Sequence, residues 1–309
     1  MNLRPQFLLA MTLAGAVATP ALAQTTAPSV GSSGSRTQST ASIPDFSGLW
    51  LHPGLGFGPP LSGPGPVRNK TRLPSGASNF SLVVGDYTNP ILKPEAAEIV
   101  KRHGELSLKG LGYQTPSNQC WPGGVPYVFW DFTLQMIQQP NEITMVYRQG
   151  DEVRHVRMNE PHPAKVTPSS YGDSVGHFDG DALMIDTVGI KKGPFAMLDM
   201  YGTPFTEKLH VVERYRLVDY DEAKDAIERN AKENSAALGN GADFDPNYRG
   251  KVLQLHFTVE DEGVFTMPWT ATITYRPNVQ PWPEQICAEN PRDFNHAESH
   301  VPTADKPDF

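Results

Sequence analysis

From Gln119 onward the chain is a succession of short runs of β-branched, aromatic and aliphatic residues separated by turn signals, and this spacing restricts it to a mainly β fold. The sharpest signal is Asp179-Gly180, a pair that tolerates positive φ at both central turn positions, set between residues 174–178 and 182–188. A β-hairpin is expected there. Residues 132–138 and 142–149, joined through Pro140-Asn141, form another hairpin, and 153–158 follows directly through Gly150-Asp151. Residues 209–218, 252–260 and 269–275 complete the set. About eight antiparallel strands in meander order predict a closed or nearly closed barrel over a sandwich, because closure leaves no exposed edge.

Other segments frame this region. Pro44 to Trp50 reads as a short edge strand with Trp50 anchored in the core. Residues 52–78, crowded with glycine and proline, cannot hold a regular ladder and are expected to form a long covering loop of the lid type. Pro94 at a helix start, Glu95 in the first turn and Gly104 at the end predict a short helix over 93–104. A second, charged and Ala-rich helix over 221–238, ended by Gly239-Asn240-Gly241, is expected as an exposed insertion.

At the N-terminus, Arg4, an apolar core over 7–17 and Ala21-Leu22-Ala23 before Gln24 predict an export signal over 1–23 and a periplasmic protein. Residues 24–42 are Thr/Ser/Gly/Ala-rich with almost nothing to bury, so a disordered lead is expected before a single domain over 43–309. The two cysteines, Cys120 and Cys287, are expected to pair in an oxidising compartment. A net charge of -8 argues against nucleic acid and anionic membrane surfaces, and favours a small-molecule ligand or substrate.

The candidate chemistry concentrates on the 171–218 stretch. With a two-residue turn at Asp179-Gly180, Phe178 faces Asp181, His177 faces Ala182, and Asp173 lies opposite Asp186. Alternation then places His177, Asp173 and Asp186 on one face of the sheet, whereas a three-residue turn shifts the register and breaks the triplet. His177 is the candidate general base, and Asp173, Asp186 or Glu213 the candidate acid. Glu213 shares a face with Leu209, Val211, Tyr215 and Leu217. Inside a barrel that carboxylate must be paired, by Arg154 or Arg157 for example, protonated, or functional. Arg154, Tyr215, Trp130 and Trp269 are the candidate ligand contacts.

Two tempting motifs lack their context. Gly172, Ser174 and Gly176 match the G-x-S-x-G serine elbow, but a strand follows where the elbow needs a helix. His177, Asp179 and Asp181 alternate, yet the aspartates flank the turn glycine, no histidine pair has helical spacing, and no CxxC is present, so no metal is expected. The GLGFG run at 54–58 neither follows a strong strand nor opens a helix, and no nucleotide cofactor is expected. Two functions remain: a cofactor-independent acid/base enzyme of lyase, dehydratase or isomerase type acting in the barrel mouth, or a non-enzymatic binding barrel for a small hydrophobic ligand.

The segments PDFSGLW, NPILKPEAAEIVKRHGE, CWPGGVP, GDSVGHFDGDALMIDTVG, LHVVERYR, FTVEDEGVFTMPWTATITYR and the tail from ICAEN to ADKPDF resemble a family of exported proteobacterial, sphingomonad-type proteins. The resemblance covers nearly everything after Ser42 and implies a lipocalin-like (calycin) barrel. Where such relatives usually carry W-E-G-D-T-L at the hairpin turn, this chain has His177-Phe178-Asp179-Gly180-Asp181-Ala182-Leu183, keeping the acidic turn without the tryptophan.

Overall fold

A computed structural model describes residues 43–52, 54–130, 133–148, 152–234, 245 and 247–278. The expected export signal, the lead and Cys287 lie outside them, and so does the 235–238 end of the predicted second helix. Among the described residues no cysteine is free.

Nine strands close into a barrel in chain order: β1 (Gly48–Leu51), β2 (Thr133–Gln138), β3 (Glu142–Tyr147), β4 (Glu152–Met158), β5 (Asp173–Asp179), β6 (Ala182–Val188), β7 (His210–Asp219), β8 (Lys251–Glu260) and β9 (Trp269–Pro277). The expectation of about eight antiparallel strands is corrected in two linked ways. The N-terminal strand is not an edge: β1 pairs with β2 (Leu49 opposite Gln135) and with β9 (Leu51 opposite Arg276), so it closes the ring. An odd ring cannot have every neighbour antiparallel, because strand direction must return to itself after one circuit. One parallel junction is therefore required. It lies between β4 and β5, where residues 159–172 carry the chain back to the end it came from and only two residue pairs align, Arg157 with Val175 and Met158 with Gly176.

Period-two alternation builds the interior. Val211, Glu213 and Tyr215 of β7 and Leu253, Leu255, Phe257 and Val259 of β8 all face inward and are buried. The helix α1 (Pro94–Leu108) starts at Pro94 as expected but runs past Gly104. That glycine is a packing contact, since a Cβ there would lie 2.9 Å from Val84 Cγ1. The helix α2 (Tyr220–Asn234) is not freely exposed. Ala223 is fully buried with Val218 and Val252 in a second apolar cluster that includes Ile227, so the Ala223/Ile227 stripe lies on the outer wall of β7 and β8.

Candidate functional site

The interior polar group is built around Arg154 on β4. Its Nη1 and Nη2 donate to Glu213 Oε2 (2.9 Å) and Oε1 (2.6 Å), its Nε to Ser174 Oγ (3.1 Å), and its Nη2 also to Thr187 Oγ1 (2.7 Å). Tyr215 donates its hydroxyl to Glu213 Oε2 at 3.0 Å. Arg154 and Glu213 are 1% and 0% exposed. Burial by itself would lower the guanidinium pKa, but the charge and hydrogen bonds of Glu213 outweigh it and raise it. Of the two arginines considered for Glu213, Arg154 is the partner. Arg154 and Tyr215, expected as ligand contacts, spend their polar groups on Glu213. Ser174 of the G-x-S-x-G match is a buried strand residue in the same network.

The hairpin register differs from expectation. Gly180 (φ +59) and Asp181 are the two loop residues, glycine first, as a type II′ turn requires. Asp179 therefore pairs with Ala182, His177 with Met184, Asp173 with Val188, and Asp186 with Val175. His177, Asp173 and Asp186 do share a face, but it is the outer one: Ser174, Leu183, Ile185 and Thr187 of the opposite face are buried, while His177 is exposed. A base in the barrel interior must point inward, and His177 points away from it.

His162, which the sequence does not single out, brings the two aspartates together. Its Nδ1 lies 2.8 Å from Asp173 and its Nε2 3.0 Å from Asp186. Arg157 pairs with the far side of Asp173, and His210 Nε2 lies 3.1 Å from both Asp186 oxygens, with its Nδ1 3.5 Å from Glu260. This chain of charges ties the 159–172 crossover to the wall outside the weak β4/β5 junction. The hydrogen bond with Asp186 raises the His210 pKa, and the same bond lowers that of Asp186; Arg157 lowers that of Asp173.

The sign of the pH effect follows from these directions. The His210 contribution is complete below about pH 6.5 and fades as pH rises through the raised folded value; those of the aspartates are complete above about pH 4 and fade as pH falls through the lowered folded values. His210→Gln is thus expected to lower Tm by about 1–3 °C more at pH 5.5 than at pH 8.5, a small effect because the groups are partly exposed. Equal losses at the two pH values would remove the clamp from the stability of the barrel.

A different cluster fills the end of the barrel where β2 and β9 begin. Phe57, from the covering loop, lies with its ring centroid 5.5 Å from Trp130, 5.1 Å from Phe257 and 6.1 Å from Trp269. Phe129, Phe265, Phe80 and Tyr201 complete the shell. Trp130 and Trp269, the two other candidate ligand contacts, are thus brought together around one ring. Both are buried, at 6% and 2% exposure, and neither indole Nε1 has an acceptor among the described residues. Sequence reasoning placed Phe57 in the loop without a role; its only signal there is a single aromatic residue between glycines.

The buried carboxyl of Asp199 also escaped notice. Burial pushes its pKa up to about 6, and it accepts hydrogen bonds from the backbone N–H groups of Tyr201 (2.9 Å) and Thr203 (3.3 Å), closing the turn between them. Among the described residues no group of three or more His, Cys, Asp or Glu side chains is arranged to hold a metal ion. A surface groove of about 510 Å³ runs between residues 59–66 and 86–91, with the exposed Leu61 and Met267 on its walls. Comparison of the chain with protein-family models, with curated proteins and with solved structures finds no match in any of the three.

Proposed function

We propose that the chain is a periplasmic, non-enzymatic binding barrel of lipocalin-like kind, whose aromatic mouth takes a small, largely apolar molecule bearing an oxygen acceptor. One observation carries this: Trp130 and Trp269, whose rings both contact the single ring of Phe57 in a buried aromatic cluster, each carry a buried indole N–H with no acceptor among the described residues. Buried donors are almost always matched, and an unmatched one costs about 1–3 kcal/mol. A carbonyl or ether oxygen on an apolar ligand would meet them, in the usual pattern of an apolar pocket with few polar groups. Binding is preferred to lyase, dehydratase or isomerase chemistry because His177, Asp173 and Asp186 face outward and Glu213 is engaged by Arg154 and Tyr215.

Calorimetric titration with acetophenone and with ethylbenzene, a near-isostere without an acceptor, tests the proposal. The ketone is expected to bind roughly tenfold more tightly, and Trp130→Phe or Trp269→Phe to shrink that preference while leaving ethylbenzene affinity nearly unchanged. Equal affinities for the two compounds in the unsubstituted protein, or no binding of either, would overturn it.

A further inference from the structure

We infer, building on the binding site proposed above, that Phe57 occupies the ligand's own place and that a ligand enters by displacing it. Three aromatic walls of the cup, Trp130, Phe257 and Trp269, are built on the barrel or its entry turn, whereas the ring they enclose belongs to the covering loop. Phe57 is 4% exposed, and both unmatched indoles are among its neighbours. Removing its ring would leave a cup sized for one six-membered ring, walled in part by the two tryptophans whose indole N–H groups are unmatched among the described residues. That geometry points to a cyclic or aryl ketone, a lactone or a quinone: apolar, single-ringed, with one or two acceptor oxygens.

Around Phe57 the loop is seated closely, and the hydrogen bonds that hold Phe57 and Gly58 to other elements run to Asn234 and Thr272. Asn234, the last described residue of α2, donates its Nδ2 to the Phe57 carbonyl at 3.0 Å, and Gly58 and Thr272 exchange two backbone hydrogen bonds of 3.0 Å. The glycines on either side permit this approach. A Cβ at Gly56 (φ +87) would lie 2.7 Å from Asn234 Oδ1, and one at Gly58 would lie 2.6 Å from the Thr272 carbonyl. The same two glycines give the backbone conformations that let Phe57 swing out, and Pro59-Pro60, with fixed φ, confine the motion to the residues before them. An entering apolar ring replaces the contacts that Phe57 gives up, so the exchange is close to balanced in buried apolar area, and the indole hydrogen bonds bias it toward the ligand. Phe57 thus acts as an internal competitor, and Asn234 as the latch that holds it.

Stopped-flow tryptophan fluorescence with acetophenone as the probe tests this. The observed rate in the unsubstituted protein is expected to level off with ketone concentration at the rate of Phe57 release. Phe57→Ala should abolish the plateau and bind at least tenfold more tightly, and Asn234→Ala should raise the plateau roughly fivefold by removing one hydrogen bond. A rate that rises linearly in the unsubstituted protein, with the slope seen in Phe57→Ala, would overturn the gate while leaving the binding site intact. If Phe57→Ala does not fold, an unchanged plateau in Asn234→Ala overturns it instead. Failure of every folded variant to bind the ketone would overturn the site, and the gate with it.

Discussion

Arg154→Ala is expected to lower the stability of the barrel by about 3–5 kcal/mol, because it leaves the Glu213 carboxylate buried without its partner. The size of the effect follows from the position of Arg154 in the barrel. The β4/β5 junction is parallel and only two residue pairs long, the shortest ladder beside that of β1 with β9. From β4 the guanidinium reaches Ser174 on β5, Thr187 on β6 and Glu213 on β7, so one side chain bridges the junction from inside and ties four strands together. Glu213→Ala should cost a similar amount. Replacing both charges together, as Arg154→Met with Glu213→Leu, should recover most of the loss, since a well-packed apolar pair avoids the desolvation penalty of the ions. Urea unfolding at pH 7 measures all four proteins. A loss below about 1 kcal/mol for Arg154→Ala would show that the backbone ladders close the ring unaided.

Phe257→Ala is expected to have an effect of the same size, about 3–5 kcal/mol, by a different route. Phe257 is 2% exposed and its ring contacts Phe57, Phe129 and Trp269, so truncation empties the centre of the aromatic cluster and the neighbours can relax only partly. Phe257→Leu, which keeps most of the volume, should cost roughly 1–1.5 kcal/mol. Saturating benzene should restore part of the loss in Phe257→Ala and stabilise the unsubstituted protein less, because the emptied apolar cavity stays dry and accepts an apolar guest without first releasing Phe57. Val153→Ala on the exposed wall serves as the control, with an expected change within about 0.5 kcal/mol. A Phe257→Ala variant as stable as that control would mean the cluster collapses without strain and contributes little to closing the barrel mouth.

Much of this architecture is local in origin, and to that extent it could be read along the chain. The strand runs from β2 to β9 are marked by β-branched and aromatic residues between turn residues. Pro94 and Glu95 mark the start of α1 because the first helical turn accepts a residue without an N–H and favours a carboxylate. The burial of Glu213 was legible because β7 alternates cleanly: its neighbours Val211 and Tyr215 on the same face are apolar enough to define the inside.

Where alternation carried no such contrast, only the folded chain decided. On β5 neither face is plainly apolar, Asp173, Val175 and His177 against Ser174, Gly176 and Phe178, so periodicity could not say which one turns inward, and His177 proved to be outside. The register hung on whether Asp179 or Asp181 shares the loop with Gly180, a choice set by pairing along the whole of β6 with β7. The parallel junction follows from counting strands around a closed ring, a property of the complete circuit that no single segment carries. The choice of Arg154 over Arg157 as partner of Glu213, the meeting of Asp173 and Asp186 at His162, and the seating of Phe57 between two tryptophans all join residues far apart in sequence. The sequence by itself determined which segments become strands and which face of the well-patterned ones is buried, since both follow from the period of the backbone. The tertiary structure alone decided which distant side chains meet, because that depends on closure and register, where a two-residue shift keeps every side chain on its face but changes every partner.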